Sequence, residues 1–280
     1  MSGLAIAALL AAAAPQQPPV FGAEVGIVRV EVSVTKAGEA LGGLTAEDFE
    51  LRDNGRVQDV RLVLQEQAPI DAVLVLDLSF SVRGAKRTAL QGAAAAFLDG
   101  LRPGERAALV SFRDDLRLLQ DFTPDRSSLF AALGRTEPGG STALRDAVYA
   151  ALRLRPPSPE RAVTVVFSDG VDNVSLLTAP EVVEAASHTD AVVYGIGIRQ
   201  KGDPPETFLP AAVQATGGRY FEAVSDRDLR ERFLDVLADI RSRYVLSYSP
   251  AETPEPGWHA LSLRLKRKKG DLLVRKGYWR

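Results

Sequence analysis

Four runs of this chain stay apolar almost to their last residue: Ala72–Asp77, Ala107–Phe112, Val163–Ser168 and Ala191–Ile198. A strand with one wet face would alternate polar and apolar side chains, so these four are strands buried on both faces. A shorter run, Leu116–Gln120, reads as an edge strand. Helical stretches separate or follow the strands, at 83–100, 142–154, 179–188, 206–215 and 226–243. The last is capped by Ser225 with Asp228 three residues on, and it keeps Leu229, Phe233, Val236, Leu237 and Ile240 at helical spacing. Strands of this kind alternating with helices dictate a mostly parallel sheet covered on both sides, here placed over residues 69–243.

Outside that block the pattern has a period of two. In "IVRVEVSVT", residues 27–35, Val28, Val30, Val32 and Val34 share one face, and Arg29, Glu31 and Ser33 the other. Thr45 and Asp48 are spaced as a capping box, and Asn54-Gly55 is a type I′ hairpin signal. After Tyr244, "YVLSYSP" and "HALSLRLKRKKGDLLVRKGYW" read as strands, the latter two joined by a Lys-Gly-Asp turn. Leu261, Leu263 and Leu265 face inward there, and Ser262, Arg264 and Lys266 outward. Segments 26–68 and 244–280 are therefore expected to meet as one small antiparallel β domain that the α/β block interrupts. Separate small units at each end fit the same pattern.

The 280 residues suffice for one large domain or two modest ones. A net charge of −2 gives no reason to expect nucleic acid or an anionic membrane as the main partner. The absence of cysteine excludes disulfides, thiolate metal sites and a cysteine nucleophile. His188 and His259 are the only histidines, which leaves little material for a histidine triad or a histidine-rich metal site. Residues 1–25 read as a signal-like segment and linker: Leu4–Ala14 has the length of a secretory h-region, and Pro15–Pro19 follows it. The expectation is export to the periplasm or beyond, with no transmembrane anchor in the mature chain. A disordered tail on a cytoplasmic protein is the alternative.

Open α/β sheets bind ligands beyond the carboxyl ends of strands, where strand order reverses. If the first and fourth strands of the block are neighbours, Asp77 in "DLSFS" and Asp169 in "FSDG" end up side by side. "GGSTALRDAV" enters a helix through Gly139 and Gly140, and Thr142 either caps that helix or turns its hydroxyl toward the same crevice. Asp77, Ser79, Ser81, Thr142 and Asp169 together offer two carboxylates and three hydroxyls, a hard-oxygen set suited to Mg²⁺ or Mn²⁺, less to Ca²⁺. Neutral hydroxyls leave such a cation under-neutralised, so it draws in a further anion, for which a partner's Asp or Glu is a natural source. Asp172 and Asp146 either support the ligands from outside or serve as turn and helix-start residues.

These three segments resemble the metal-ion-dependent adhesion site (MIDAS) of von Willebrand factor A (VWA) domains. "ATGGRYFEA", residues 215–223, is similar to the run leading into that fold's last strand. The flanks "LTAEDFELRDNGRVQDV", "RSRYVLSYSP" and "VRKGYW" are similar to a bacterial, largely acidobacterial, VWFA-related family; Ser247 stands where that family more often has glycine. The resemblance implies an α/β, doubly wound, mostly parallel six-stranded sheet of Rossmann-like type. It also implies a divalent cation and binding of a protein ligand without catalysis.

Two alternatives stay open: a scaffold subunit whose cation only stabilises the fold, and a metal-dependent hydrolase. The second lacks a base. Ser79 stands where a phosphatase of this kind wants a second acid, His188 precedes a strand at the opposite end of the sheet, and His259 lies in the β segment. The basic run Arg264, Lys266, Arg267, Lys268 and Lys269 is read as a solubilising feature of an edge strand and turn. Trp258, Tyr278 and Trp279 are read as core or domain-junction aromatics.

Overall fold

A computed structural model describes residues 27–63, 69–155, 158, 160–198, 206–250 and 256–280. The signal-like segment and linker at 1–25 fall outside the described residues. In chain order the first strands are β1 (Val28–Lys36), β2 (Glu39–Ala40), β3 (Phe49–Asp53), β4 (Arg56–Val57) and β5 (Arg61–Val63). The central block runs β6 (Ile70–Asp77), α1 (Ala85–Asp99), β7 (Arg106–Phe112), β8 (Leu116–Thr123), α2 (Arg126–Gly134), α3 (Leu144–Arg153), β9 (Arg161–Ser168), α4 (Ala179–His188), β10 (Val192–Ile198), α5 (Phe208–Ala215), β11 (Tyr220–Ala223) and α6 (Leu229–Ser242). Strands β12 (Tyr244–Tyr248), β13 (Trp258–Leu265), β14 (Asp271–Val274) and β15 (Gly277–Trp279) close the chain.

The central sheet has the order β11-β10-β9-β6-β7-β8 and is parallel except for β8, which pairs antiparallel with β7 at the edge. All eight residues of β6 are buried. Alternate residues feed two cores, as a strand covered on both faces requires. Leu74 and Leu76 pack with Phe97 of α1, Leu129 of α2 and Phe233 of α6. Val73 and Val75 face the opposite way, toward Leu144 and Val148 of α3, Val182 of α4 and Leu209 of α5. The strand order reverses between β6 and β9, which lie side by side in register from Ile70↔Arg161 to Leu76↔Phe167. This is the expected doubly wound α/β fold. Helix α2 is an addition to the expected elements.

The terminal segments build two antiparallel sheets, β14-β1-β12-β5 with β2 on the end of β1, and β15-β13-β3-β4. Val30, Val32, Val34, Leu246 and Tyr248 from the first sheet share a core with Phe49 and Leu51 from the second, and Leu261, Leu263 and Leu265 pack against it. The ends of the chain thus pair with each other: β1 with β12 and β14, β3 with β13. The Lys-Gly-Asp turn does not close a hairpin, because β13 and β14 belong to different sheets. The Asn54-Gly55 turn does, with φ of 46° and 79°, between β3 and β4.

The polar face of β1 is open to solvent at Arg29 and covered further along. Ser33 is buried and donates to Asp239 of α6 (3.0 Å), while Glu31 takes both Nε and Nη2 of Arg161 at 2.8 and 2.6 Å. Trp279 stacks on His188 at the end of α4 with ring centroids 4.7 Å apart and so sits at a junction, whereas Tyr278 stacks on His259 of β13. The basic run lies where expected: at Arg264 β13 pairs with β3 alone, since β15 pairs only with residues 258–260, and Lys266, Arg267, Lys268 and Lys269 follow the end of the strand. Arg264 forks onto Glu50 of β3.

Candidate metal centre

β6 and β9 deliver Asp77 and Ser168-Asp169 to adjacent strand ends at the point where the order reverses. Asp77 is fully buried, and both its oxygens are engaged. Oδ1 accepts from the Ser79 amide at 2.8 Å, which curls the chain back over the strand end, and Oδ2 accepts from the Ser168 hydroxyl at 2.7 Å. Ser81 donates to Asp169 Oδ1 at 2.7 Å. That uses the only Ser81 hydroxyl proton, so in the 3.1 Å contact between the two serines Ser79 is the donor. Hydroxyls and carboxylates of two loops thereby form one chain of oxygens, Ser79 to Ser81 to Asp169, beside Asp77.

Thr142 completes the group from a third segment. It is not the helix cap: Ala143 holds that position, without a side-chain bond. Thr142 exchanges bonds with Asn173, its amide donating to Asn173 Oδ1 at 2.9 Å and its carbonyl accepting from the Asn173 amide at 3.0 Å. Its hydroxyl lies 3.8 Å from where a side chain on Gly170 would begin, next to Asp169. Gly140 makes the approach possible. Its φ is +73°, and a Cβ there would meet the Asp114 carboxylate. On the other flank Gly84, at φ +59°, turns the chain sharply from Ser81 into α1.

Asp172 and Asp146 do not turn toward the crevice. Asp172 accepts from the amide and guanidinium of Arg145 at 2.8 and 2.7 Å and from Ser175, and Asp146 accepts the Leu176 and Leu177 amides, both at 2.9 Å. Together they pin the loop after Asp169 onto the start of α3. Burial opposes the charge on Asp172, but the Arg145 bonds outweigh it and hold the carboxyl below its usual range.

Two further contributors are not evident from sequence. Ser168 lies inside "FSDG" yet reads there as the last residue of a strand. Lys86, the second residue of α1, sets its ammonium 2.5 Å from Asp169 Oδ2, with the lysine side chain 13% exposed and the carboxylate 1%. Leu78 packs into the core, whereas Phe80 stands 62% exposed with the Arg83 guanidinium 3.4 Å over its ring.

The donor set fits a small hard cation. Burial pushes the Asp77 carboxyl up to about 6, and the Asp169 charge adds to this, against the pull of hydrogen bonds from Ser79 and Ser168. A carboxyl as buried as Asp77 is favoured as an anion by positive charge beside it. Among the described residues no cluster of three or more Asp, Glu, His or Cys gathers, so a cation at this point would also need the hydroxyls as ligands. His188 and His259 lie in α4 and β13, and His259 is buried against Asp53 with Nδ1 3.0 Å from Oδ1.

Residues 72–171 match the family model of the von Willebrand factor type A domain. Among solved structures, the chain is similar to a von Willebrand factor type A protein from Catenulispora acidiphila, with a TM-score of 0.58 at 14% identity, over 88% of this chain and 76% of that one. It is also similar to the vWF domain of the type V pili tip protein Mfa5 from Porphyromonas gingivalis, with a TM-score of 0.51 at 15% identity, over 62% and 95%. A third is proximal thread matrix protein 1 of the mussel byssus with a zinc-occupied MIDAS motif, TM-score 0.57 at 17% identity, over 66% and 49%. At these identities the likeness is one of fold. No curated protein matches the chain.

Proposed function

We propose that the chain, whose residues 72–171 match the von Willebrand factor type A domain, works as a non-catalytic, cation-dependent protein-binding module. Asp77, Ser79, Ser81, Thr142 and Asp169 would hold Mg²⁺ or Mn²⁺. Once bound, the cation supplies Lewis-acid pull on one carboxylate oxygen of an Asp or Glu presented by the partner. The observation that carries the reading is the convergence of oxygens on the switch point of the sheet, where Asp77, Ser79, Ser81 and Asp169 are linked by hydrogen bonds and the Thr142 hydroxyl stands close to Gly170 beside them. The same loops also expose Phe80, Val171, Val174 and Leu176, at 62%, 51%, 42% and 92%. Apolar residues around a polar centre suit a protein surface better than a small-molecule pocket.

The hydrolase reading gains no support. Ser79 and Ser81 hydrogen-bond each other and Asp169, and no histidine reaches them to act as a base. The byssus protein of similar fold, with zinc in its own site, supports a divalent ion here. The signal-like segment at 1–25 and the pilus-tip neighbour support an extracytoplasmic place for the module. No helix among the described residues is long and apolar enough to cross a membrane.

Calorimetric titration with Mg²⁺ and with Mn²⁺ tests the site. Wild type binds one ion and Asp77→Ala none. Equal binding by both, or none by wild type, overturns the proposal. A raised melting temperature on Mg²⁺ addition, with no chelator-sensitive capture of any partner, would favour a purely structural ion.

A further inference from the structure

We propose that Lys86 is a built-in cation of the site, one that weakens binding of the bare metal ion and reserves tight binding for metal and acidic partner together. The inference rests on the cation-site reading above. Asp169 is split between two roles: Oδ1 accepts from Ser81 and faces the oxygen cluster, whereas Oδ2 is taken by the Lys86 ammonium at 2.5 Å. The pair is largely withdrawn from solvent, at 13% and 1% side-chain exposure, so water screens it little. Lys86 is held there by α1, whose start is fixed by the sharp turn at Gly84.

The charge balance follows from these residues. Asp77 and Asp169 bring −2 and Lys86 brings +1, so the site presents −1 to an arriving divalent ion instead of −2. The attraction is roughly halved, and affinity for the free ion falls. Once loaded, the site holds +1 where the same site without Lys86 would be neutral. A partner's carboxylate then restores neutrality. Lys86 thus shifts binding free energy from the ion to the ternary complex, a coupling that acts equally in both directions. It touches no partner; it is a positioning residue that acts through Asp169.

Lys86→Gln removes the charge and keeps a hydrogen-bond donor; Lys86→Arg keeps the charge. Calorimetry with Mg²⁺ alone, in the full chain, reads the difference. We expect about tenfold tighter Mg²⁺ binding for Lys86→Gln, with Lys86→Arg at wild-type affinity or weaker. Lys86→Met is the second neutral variant, and circular dichroism with melting temperature confirms that each is folded. Wild-type affinity in both neutral variants, or weaker binding in either, overturns the inference and leaves the cation site standing. Absence of Mg²⁺ binding in wild type and all variants removes the cation site and this inference with it.

Discussion

Ser168 shows how much of the site rests on a residue that brings no charge. Its hydroxyl fixes Asp77 Oδ2 at 2.7 Å and lies 3.1 Å from the Gly170 carbonyl, so it sets both the carboxylate and the first turn after Asp169. Residues that orient a ligand from behind are worth about 10–100-fold in metal affinity. Ser168→Ala is expected to weaken Mg²⁺ binding by about tenfold at an unchanged fold, read by calorimetry beside circular dichroism. Unchanged affinity would show that Asp77 needs no such support. The gathering of Asp77, Ser79 and Ser81 at the strand end is legible in the sequence because a core strand rarely ends in polar residues at every second position. Ser168 is not, since the last residue of a strand is ambiguous in direction. Nor is Lys86, one basic residue among many at a helix start, whose partner lies 83 positions away.

At the scale of elements, α2 does not stand out in the sequence although its signals are present: Asp125 caps it through the Ser127 amide at 2.9 Å, and Leu129, Ala132 and Leu133 form its buried side. A helix of nine residues is too short for periodicity alone to stand out. The polar face of β1 was visible, but its partner was not. Asp239 of α6 receives Ser33 of β1 at 3.0 Å, Tyr194 of β10 at 2.8 Å and Arg243 at 2.9 Å, and pairs with Arg219 at 3.1 Å. Arg243 is wholly buried, with the Tyr194 ring 5.2 Å away. Asp239→Ala leaves that guanidinium without its carboxylate, a loss of about 3–5 kcal/mol measurable by urea unfolding. Burial opposes ionisation of Asp239, yet Arg243, Arg219 and the Tyr194 hydroxyl outweigh it and hold its carboxyl below the usual range. Its contribution is therefore complete above the unfolded carboxylate value of about 4 and is lost as pH falls through the lower folded value. Asp239→Asn should flatten the acid side of the stability curve; an acid limb identical to wild type would place the titrating group elsewhere.

At the scale of the molecule, the chain leaves one pair of sheets, builds a complete α/β block, and returns to finish the same sheets. β1 has its two long neighbours, β12 and β14, at the far end of the sequence, and β3 has β13 there. The central block owes none of its six strands to the terminal segments. Sequence pattern alone left the meeting of the two ends open, because period-two alternation identifies a half-buried strand but not the strand beside it. The pairing makes a directional prediction. Ending the chain after Ser242 removes β12–β15, so β1 keeps only β2 and β3 only β4, each partner two residues long. Two-stranded remnants of that size do not hold in water, and their bare edges invite association. Limited proteolysis of the shortened chain should then cut within residues 27–63 and spare 70–242, while the full chain resists in both. Glu31 would also leave Arg161, whose side chain is only 7% exposed, without its carboxylate, so the surviving core should melt lower than in the full chain. Mg²⁺ binding should persist in it, because Asp77, Ser79, Ser81, Thr142 and Asp169 all lie within the block. Loss of the ion together with the terminal strands would mean that the β sheets shape the crevice from a distance, and that the two parts fold as one unit.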